Sequence, residues 1–192
     1  MGIKERRDGE KSEMRRRIME AATEIINQEG YEKLSIRKIA SKIEYSPTTI
    51  YLYYKDKAEI IGDMSNALYG KVMDAIIAES ENSIKALDAR VSGMLRILIT
   101  ELCNEPEMAK AIMSSESNVI FADGSGAGMP SNPGMELLDN LISDGIADNI
   151  FRPNMENTSW MLVSALLGFV MTSIANQLYL QDNFDRFTEN FI

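Results

Sequence analysis

Apolar residues recur along the chain at the three- and four-residue spacing of α-helices, and two short helical patterns near the N-terminus flank a tight turn. In the first pattern Ile36, Ile39, Ala40 and Ile43 share one face, and Ser35 precedes them as an N-cap. A serine and a proline at positions 46 and 47 then end this helix and begin the next, because proline fits the first turn of a helix but not its interior. The pattern predicts a helix-turn-helix.

The same periodicity extends to both sides of this motif. A stripe from Ile18 to Ile26 predicts a first helix over about residues 13–28, and Asp56 begins a fourth helix that runs to about Ser80. Further stripes predict helices over about residues 84–102, 106–113, 133–149 and 157–181, with a loop or lid at residues 121–134. The predicted fold class is all-α, with an N-terminal three-helix helix-turn-helix domain at residues 1–57, including a basic arm at residues 1–12, and a larger C-terminal helical domain at residues 58–192.

The segment from Asn157 to Gln181 contains no charged residue and is apolar around its whole circumference. A soluble helix of this kind has to be covered on every side, whereas a membrane span of the same length is the competing interpretation. Polar residues interrupt the segment and no basic flank anchors it, so we expect burial between its own domain and a partner subunit.

The charge is divided unevenly between the two predicted domains. The net charge of the chain is −9, but residues 1–57 carry 13 Lys/Arg and 10 Asp/Glu, a net +3, which leaves −12 for residues 58–192. Positive charge is therefore confined to the end with the helix-turn-helix, as nucleic-acid binding requires. The basic arm is either a solvated, partly disordered terminus or an additional contact to phosphates or to the minor groove.

The side chains of the motif suit contacts with a DNA duplex. Thr48 and Thr49 lie at the end of the second helix that reaches base edges in the major groove, while Ile50 and Tyr54 lie on its packing side. A capping box after the motif places Lys57 in the first turn of the fourth helix, where a cation opposes the helix dipole unless a phosphate lies nearby. The predicted DNA-binding residues are Ser35, Arg37, Pro47, Thr48, Thr49, Tyr51, Tyr53, Lys55 and Lys57.

The residue inventory argues against an enzyme. No histidine is present, which excludes histidine-dependent triads and histidine metal sites, and neither a metal nor a cofactor is expected. Cys103, the single cysteine, lies within an apolar helical stripe and is expected to be buried and inert. One cysteine and no signal-peptide pattern also fit a cytoplasmic protein.

At four segments the chain resembles the tetracycline-repressor (TetR) family of bacterial transcription regulators. The segments are Ala21-Ala22, Gly30-Tyr31, Ser35 to Ala40 and, most specifically, Thr49 to Ile61. Glu44 stands near the position where the family usually has the glycine that opens the turn. The resemblance implies a small-molecule pocket in the C-terminal domain and a two-fold dimer formed by the last two helices, of which the last, residues 184–192, is short for the family.

The C-terminal residues are assigned by this resemblance and by their apolar chemistry. The predicted effector pocket comprises Met94, Leu98, Met113, Phe121, Trp160 and Met161, and the alternative for each is ordinary core packing. The predicted dimer interface comprises Leu166, Phe169, Val170, Ile174 and Phe187. With few basic residues after Lys57, a hydrophobic or cationic effector is favoured over an anionic one.

The sequence thus predicts a ligand-responsive transcriptional regulator, and a repressor is the family default. One helix-turn-helix contacts too few bases for useful specificity, so we expect a homodimer that binds an inverted repeat in double-stranded DNA and is released by a small effector, without a membrane. The alternative is a helical dimerisation or adaptor protein without sequence-specific DNA binding.

Overall fold

Every apolar stripe predicted from the sequence forms a helix in the computed structural model, which describes residues 3–114, 133–153 and 157–192. Within these residues the fold is all-α, as predicted. The helices are α1 (Ile3–Glu29), α2 (Ile36–Lys42), α3 (Pro47–Ile50), α4 (Lys57–Ser80), α5 (Leu87–Asn104), α6 (Pro106–Ser114), α7 (Pro133–Ala147), α8 (Thr158–Ala175) and α9 (Phe184–Phe191). Short 3₁₀ turns occupy Tyr31–Lys33 and Leu178–Leu180.

The first helix begins ten residues before its predicted start at Glu13, so the basic arm is helical and continuous with α1 from Ile3 onward. The alternative of a disordered arm is therefore wrong for residues 3–12. Charged residues with good helix propensity form this extension, and Arg6 pairs with Glu10 one turn later at 3.4 Å. The apolar pattern gave no sign of it because this part of the helix has no apolar face.

The described residues form two compact units. The first comprises residues 3–67 and 107–114, that is α1 to α3, the beginning of α4, and α6 from Glu107 onward. The second comprises residues 68–106 with 133–153 and 157–192, so α4 contributes residues to both units. The first unit thus extends past the predicted boundary at Lys57. Fully buried isoleucines from four helices form its core: Ile18, Ile26, Ile39, Ile50, Ile60 and Ile61.

In the second unit α5, α7 and α8 pack against one another, and α9 packs against α5. Only part of α8 is covered: Val163, Leu167 and Ile174 are buried, whereas Met161 is 52% and Leu162 37% exposed. Among the described residues α8 is the one helix long and apolar enough to cross a membrane by length and composition. Its incomplete burial within the chain leaves an apolar surface open.

Cys103 is buried on α5, as predicted, with 5% of its surface exposed. Removal from water disfavours the thiolate and raises the pKa of this thiol to about 11. The sulfur is therefore protonated at neutral pH and is a poor nucleophile.

Candidate nucleic-acid interface

The first helix of the motif is fixed by its cap and its apolar face. The Ser35 hydroxyl accepts a hydrogen bond from the backbone N–H of Lys38 at 3.3 Å, and Ile39 and Ala40 are buried beneath α2. Ser35 is therefore the N-cap that the sequence predicts. Arg37, in the first turn of α2, is exposed to solvent.

The turn between α2 and α3 depends on a strained residue. Glu44 has φ 60°, in the left-handed region that glycine adopts without cost. The backbone N–H of Tyr45 reaches back to the Ala40 carbonyl at 2.9 Å and closes the turn. Glutamate thus adopts a left-handed conformation near the position where the TetR family usually has a glycine.

Replacing Glu44 by glycine is expected to stabilise the protein by about 0.5–1 kcal/mol. A non-glycine residue in the left-handed region destabilises the folded state by about 1–2 kcal/mol, and glycine removes this strain. The greater conformational freedom of glycine in the unfolded chain offsets about 0.4–1 kcal/mol of the gain. Urea unfolding measures the difference. Glu44→Ala is the matched control, since it removes the carboxylate but keeps Cβ. A Glu44→Gly protein less stable than Glu44→Ala by about 0.4–1 kcal/mol would show that the turn is not strained.

The second helix of the motif is shorter than the pattern predicted. Ser46 caps α3 by accepting from the Thr49 N–H at 3.1 Å, with Pro47 at the first helical position. After Ile50 the chain continues as turns, with the Tyr53 N–H bonded to the Ile50 carbonyl at 2.9 Å. The predicted recognition helix is therefore one α-helical turn followed by a turn segment.

The two threonines of α3 differ in their surroundings. Thr48 is exposed, whereas Thr49 is half-buried and its hydroxyl lies 2.9 Å from that of Ser46. Thr48 is therefore the better placed of the two to contact a base edge, and Thr49 contributes to the cap. Ile50 and Tyr54 are buried, as predicted, with 0% and 1% exposure.

The turn segment after α3 presents a mixed apolar and phenolic surface. Tyr51 is 57% exposed, Tyr53 is half-buried and Lys55 is exposed. Leu52, between the two tyrosines, is 74% exposed, which is unusual for so large an apolar side chain. The sequence prediction omitted Leu52, although its position inside the segment Thr49 to Ile61 was a signal. An exposed leucine here suits contact with a thymine methyl or a sugar.

Lys57 lies in the first turn of α4, and its side chain contacts the ring of Tyr31. Its Nζ lies 3.9 Å from the centroid of the Tyr31 ring, a cation–π contact that the sequence prediction missed. The predicted cap is present, since the Glu59 N–H donates to Asp56 Oδ1 at 2.9 Å. The Glu59 carboxylate accepts from the Lys55 N–H at 2.6 Å, so the chain entering α4 is fixed at both sides.

The second unit contains an apolar cavity of about 50 Å³. It is lined by α4 through Tyr69, Val72, Met73 and Ile76, by α5 through Met94, Leu95 and Leu98, by α7 through Gly134, Met135 and Leu138, and by Val163 of α8. A water molecule occupies about 30 Å³ in the liquid, so the cavity has to widen before a larger ligand enters. Three methionines in the lining make such widening inexpensive.

The structure brings together two of the six predicted pocket residues. Met94 and Leu98 line the cavity, Trp160 and Met161 are not part of its lining, and Met113 lies on α6 in the first unit. Phe121 falls outside the described residues. The contribution of α4 went unpredicted, because a helical stripe does not distinguish core positions from cavity walls.

The lining is almost free of polar groups. Among the described lining residues, Tyr69 has the one polar side chain, and its hydroxyl accepts from the Gly134 N–H at 3.3 Å. Burial raises the pKa of the Tyr69 phenol, which therefore stays neutral. No charged side chain belongs to the described part of this lining, so the cavity matches the hydrophobic part of the predicted effector class.

The predicted dimer residues fall into two groups. Leu166 and Val170 are 1% exposed and Ile174 is 3% exposed, so these three pack within their own unit and have no surface for a partner. Phe187 is 38% exposed, and Phe169 stacks on Phe191 with ring centroids 4.4 Å apart. The surface that α8 and α9 leave open, which we call the α8/α9 face, comprises Met161, Leu162, Phe169, Phe187 and Phe191.

The first unit thus carries a capped helix-turn-helix with exposed hydroxyl, phenol and amine groups, an arrangement typical of DNA-binding domains, and the second unit contains an apolar cavity. The family profile for bacterial regulatory proteins of the tetR family matches residues 18–64, which span the second half of α1, α2, α3 and the first turns of α4. Over these residues the chain is similar to the N-terminal domain of the TetR family.

Two curated transcription regulators are similar to this chain in sequence. The transcriptional repressor KstR of Mycolicibacterium smegmatis is 26% identical over 139 residues, which cover 71% of this chain and 64% of KstR. The fatty acid metabolism regulator protein of Bacillus subtilis is 35% identical over 68 residues, 35% of this chain and 33% of that protein. The chain thus spans less than two thirds of the length of either relative.

Solved structures share the fold over nearly the whole chain. The fatty acid degradation regulator FadR from Bacillus halodurans superposes with a TM-score of 0.69 at 16% identity, covering 92% of this chain and 91% of FadR. FadR from Bacillus subtilis, in complex with stearoyl-CoA, gives a TM-score of 0.66 at 16% identity, with 91% and 94% covered. Both helical units therefore belong to one known architecture.

Proposed function

We propose that the protein is a ligand-responsive DNA-binding transcriptional regulator, and specifically a repressor. The observation that carries this proposal is the group of exposed side chains Thr48, Tyr51 and Lys55 on a capped helix-turn-helix, within the residues that match the family profile. The curated relative KstR, a repressor, supports the direction of regulation. A cytoplasmic location follows from this role.

The regulator acts as a homodimer on an inverted repeat. Two helix-turn-helix motifs related by a two-fold axis contact half-sites about 34–36 Å apart, which one motif alone cannot do. The α8/α9 face supports self-association, because it leaves large apolar side chains such as Met161 and Phe187 open to solvent. Covering this face with a second copy removes it from water.

The effector is a hydrophobic molecule with an extended apolar part. The apolar lining of the cavity supports this class, and a structure of the same fold holds stearoyl-CoA. An acyl chain is therefore the first compound class to test. The ligand weakens DNA binding by preferring the conformation that does not bind DNA, and the difference between its two affinities sets the size of the effect.

The first experiment is the selection of duplexes from a random pool, followed by a salt titration of the enriched sequence. We expect an inverted repeat whose log affinity falls steeply with log salt, since several phosphates are neutralised at once. Weak binding at low salt without an enriched sequence would contradict the regulator function. The adaptor alternative would then be favoured.

Lys57→Ala is expected to lower the salt dependence of operator binding without changing the preferred sequence. Each phosphate contact contributes about 0.9 to the slope of log affinity against log salt, so a dimer that loses two contacts loses about 1.8. Fluorescence anisotropy at four salt concentrations measures this slope. Lys85→Ala, which removes an exposed lysine from the second unit, is the control and should leave the slope unchanged. An unchanged slope for Lys57→Ala would remove Lys57 from the DNA contacts.

A further inference from the structure

We propose that Arg15 is a positioning residue for DNA recognition, which fixes the segment after α3 against α4 instead of contacting a phosphate. The inference rests on the proposed function, because it names the residue that orients the DNA-contacting side chains. It concerns the first unit alone.

The guanidinium of Arg15 bridges three elements of the first unit. Its Nη1 donates to the backbone carbonyl of Tyr53 at 3.0 Å, and its Nη2 donates to Oδ2 of Asp63 at 2.8 Å. Arg15 lies on α1, Tyr53 in the segment after α3, and Asp63 on α4. A planar guanidinium is suited to two such directional bonds because its donors form a rigid fork.

Tyr54 closes the arrangement from below. Its ring is 1% exposed and lies under the guanidinium of Arg15, with 4.2 Å from Cζ to the ring centroid. Its hydroxyl donates to the same Asp63 oxygen at 2.9 Å. Burial, and then the neighbouring Asp63 carboxylate, raise the pKa of Tyr54, so the phenol keeps its proton and remains a donor.

The charge of Arg15 is satisfied inside the protein. Asp63 accepts a hydrogen bond from Nη2, and Glu59 lies 3.4 Å from the same Nη2 atom. The hydrogen bond with Asp63 raises the pKa of Arg15 above its ordinary value. A guanidinium with two carboxylates beside it is poorly suited to a further phosphate, so Arg15 differs from the phosphate contacts proposed for the basic arm.

Other arginines of α1 behave differently. Arg16 pairs with Glu13 and Glu20 of its own helix, and Arg6 pairs with Glu10. Neither of these pairs reaches the segment after α3. Arg16 is therefore a matched control, since it has the same side chain one position away and is paired only along α1.

The Tyr53 carbonyl explains why this bond affects recognition. It lies at the end of the turn segment, where backbone carbonyls have no partner within a helix. A charge-assisted bond to this oxygen fixes the peptide that follows Tyr53 and thereby limits how Tyr51 and Leu52 move relative to the DNA. Without the bond, the segment samples several orientations, and contacts with individual bases are averaged.

The test compares Arg15→Gln, Arg15→Lys and Asp63→Asn with Arg16→Gln in the full chain, using the duplex that the wild type selects. We expect the three Arg15 and Asp63 variants to lose about tenfold or more in affinity, to tolerate substitutions in the half-site that the wild type rejects, and to keep the salt slope. Arg15→Lys should not rescue, because an ammonium lacks the fork that joins Tyr53 to Asp63. Arg16→Gln should match the wild type.

The double variant Arg15→Gln/Asp63→Asn distinguishes a joint role from two separate ones. If the two residues act as one unit, its loss of affinity should be no greater than about that of either single variant, instead of the product of the two. Circular dichroism and thermal unfolding of every variant report whether a loss of affinity follows loss of folded protein. Asp63→Asn keeps the shape of the side chain and serves if Arg15→Gln does not fold.

Three results would overturn the inference. A salt slope about 1.8 lower for Arg15→Gln, with base preference retained, would make Arg15 a phosphate contact. Affinity lost only in proportion to unfolded protein, again with base preference retained, would make it a structural residue. If both Asp63→Asn and Arg15→Lys kept the base preference of the wild type, these residues would have no part in orienting the DNA-contacting segment. Failure of the wild type to select any duplex is a different result, since it ends the proposed function and this inference together.

Discussion

Phe187→Arg is expected to convert the proposed dimer into a monomer and to abolish tight operator binding. Phe187 is 38% exposed on α9, and in a dimer the replacement would place one charge from each copy in an apolar contact. An uncompensated buried charge costs about 3–5 kcal/mol, and each 1.4 kcal/mol changes the dissociation constant about tenfold. Sedimentation at micromolar concentration measures the assembly, and anisotropy with the selected duplex measures the loss of binding.

The loss of operator affinity should exceed the effect of any single DNA contact. Joining two half-site contacts in one molecule increases the apparent affinity by about 10²–10⁴, and a monomer forfeits this gain. Ile84→Arg is the matched control, because Ile84 is 96% exposed in the second unit and does not belong to the α8/α9 face. A Phe187→Arg protein that sediments as a dimer would show that the interface lies elsewhere.

The elements that the sequence predicted well are those with local chemical signals. Ser35, the pair Ser46-Pro47, and Asp56 with Glu59 each set a helix end through hydrogen bonds or ring geometry within a few residues. Local signals do not depend on the rest of the fold, so the starts of α2, α3 and α4 lie where they were predicted. The start of α1 was missed, because charge pairs along a polar helix leave no apolar period.

The sites in the second unit depend on which face of each helix is covered, and this is not a local property. Leu166 and Phe169 are neighbours on an apolar helix, yet one is 1% exposed and the other half-buried in a stack with Phe191. The same limitation applies to the cavity, since Val72 and Leu138 belong to apolar stripes that indicate ordinary core. Their role as cavity walls becomes apparent only when α4, α5 and α7 are placed side by side.

The network around Arg15 could not be predicted from the sequence for a third reason. Its members are far apart in the chain, since Tyr53 follows Arg15 by 38 positions and Asp63 follows it by 48. In the sequence Arg15 is one of several basic residues near the N-terminus, and nothing local separates it from Arg16. Only the folded arrangement shows that one guanidinium lies over Tyr54 while the next is paired along α1.

Val72→Phe is expected to produce a repressor that binds the operator normally but no longer responds to an acyl ligand. Val72 is 3% exposed and lines the cavity of about 50 Å³, so a phenyl ring would occupy the space that the ligand needs. We expect the ligand concentration for half-release of the duplex to rise at least about 100-fold, which corresponds to about 2.7 kcal/mol of lost binding free energy. Titration of the protein–duplex complex with stearoyl-CoA and with stearate measures this release.

The control for this variant is Ile77→Phe, which adds the same ring to an exposed position of the same helix. Overpacking costs about 1–3 kcal/mol of stability, so thermal unfolding of Val72→Phe is measured beside its DNA affinity, which should stay within about twofold of the wild type. Release of both variants at the wild-type ligand concentration would place the effector outside the cavity.

Because α4 begins with Lys57 and later lines the cavity with four side chains, a ligand that displaces this helix also displaces a predicted phosphate contact. Release by stearate as well as by stearoyl-CoA would assign recognition to the acyl chain, as the uncharged lining requires, whereas release of the wild type by neither compound would contradict the acyl class of effector.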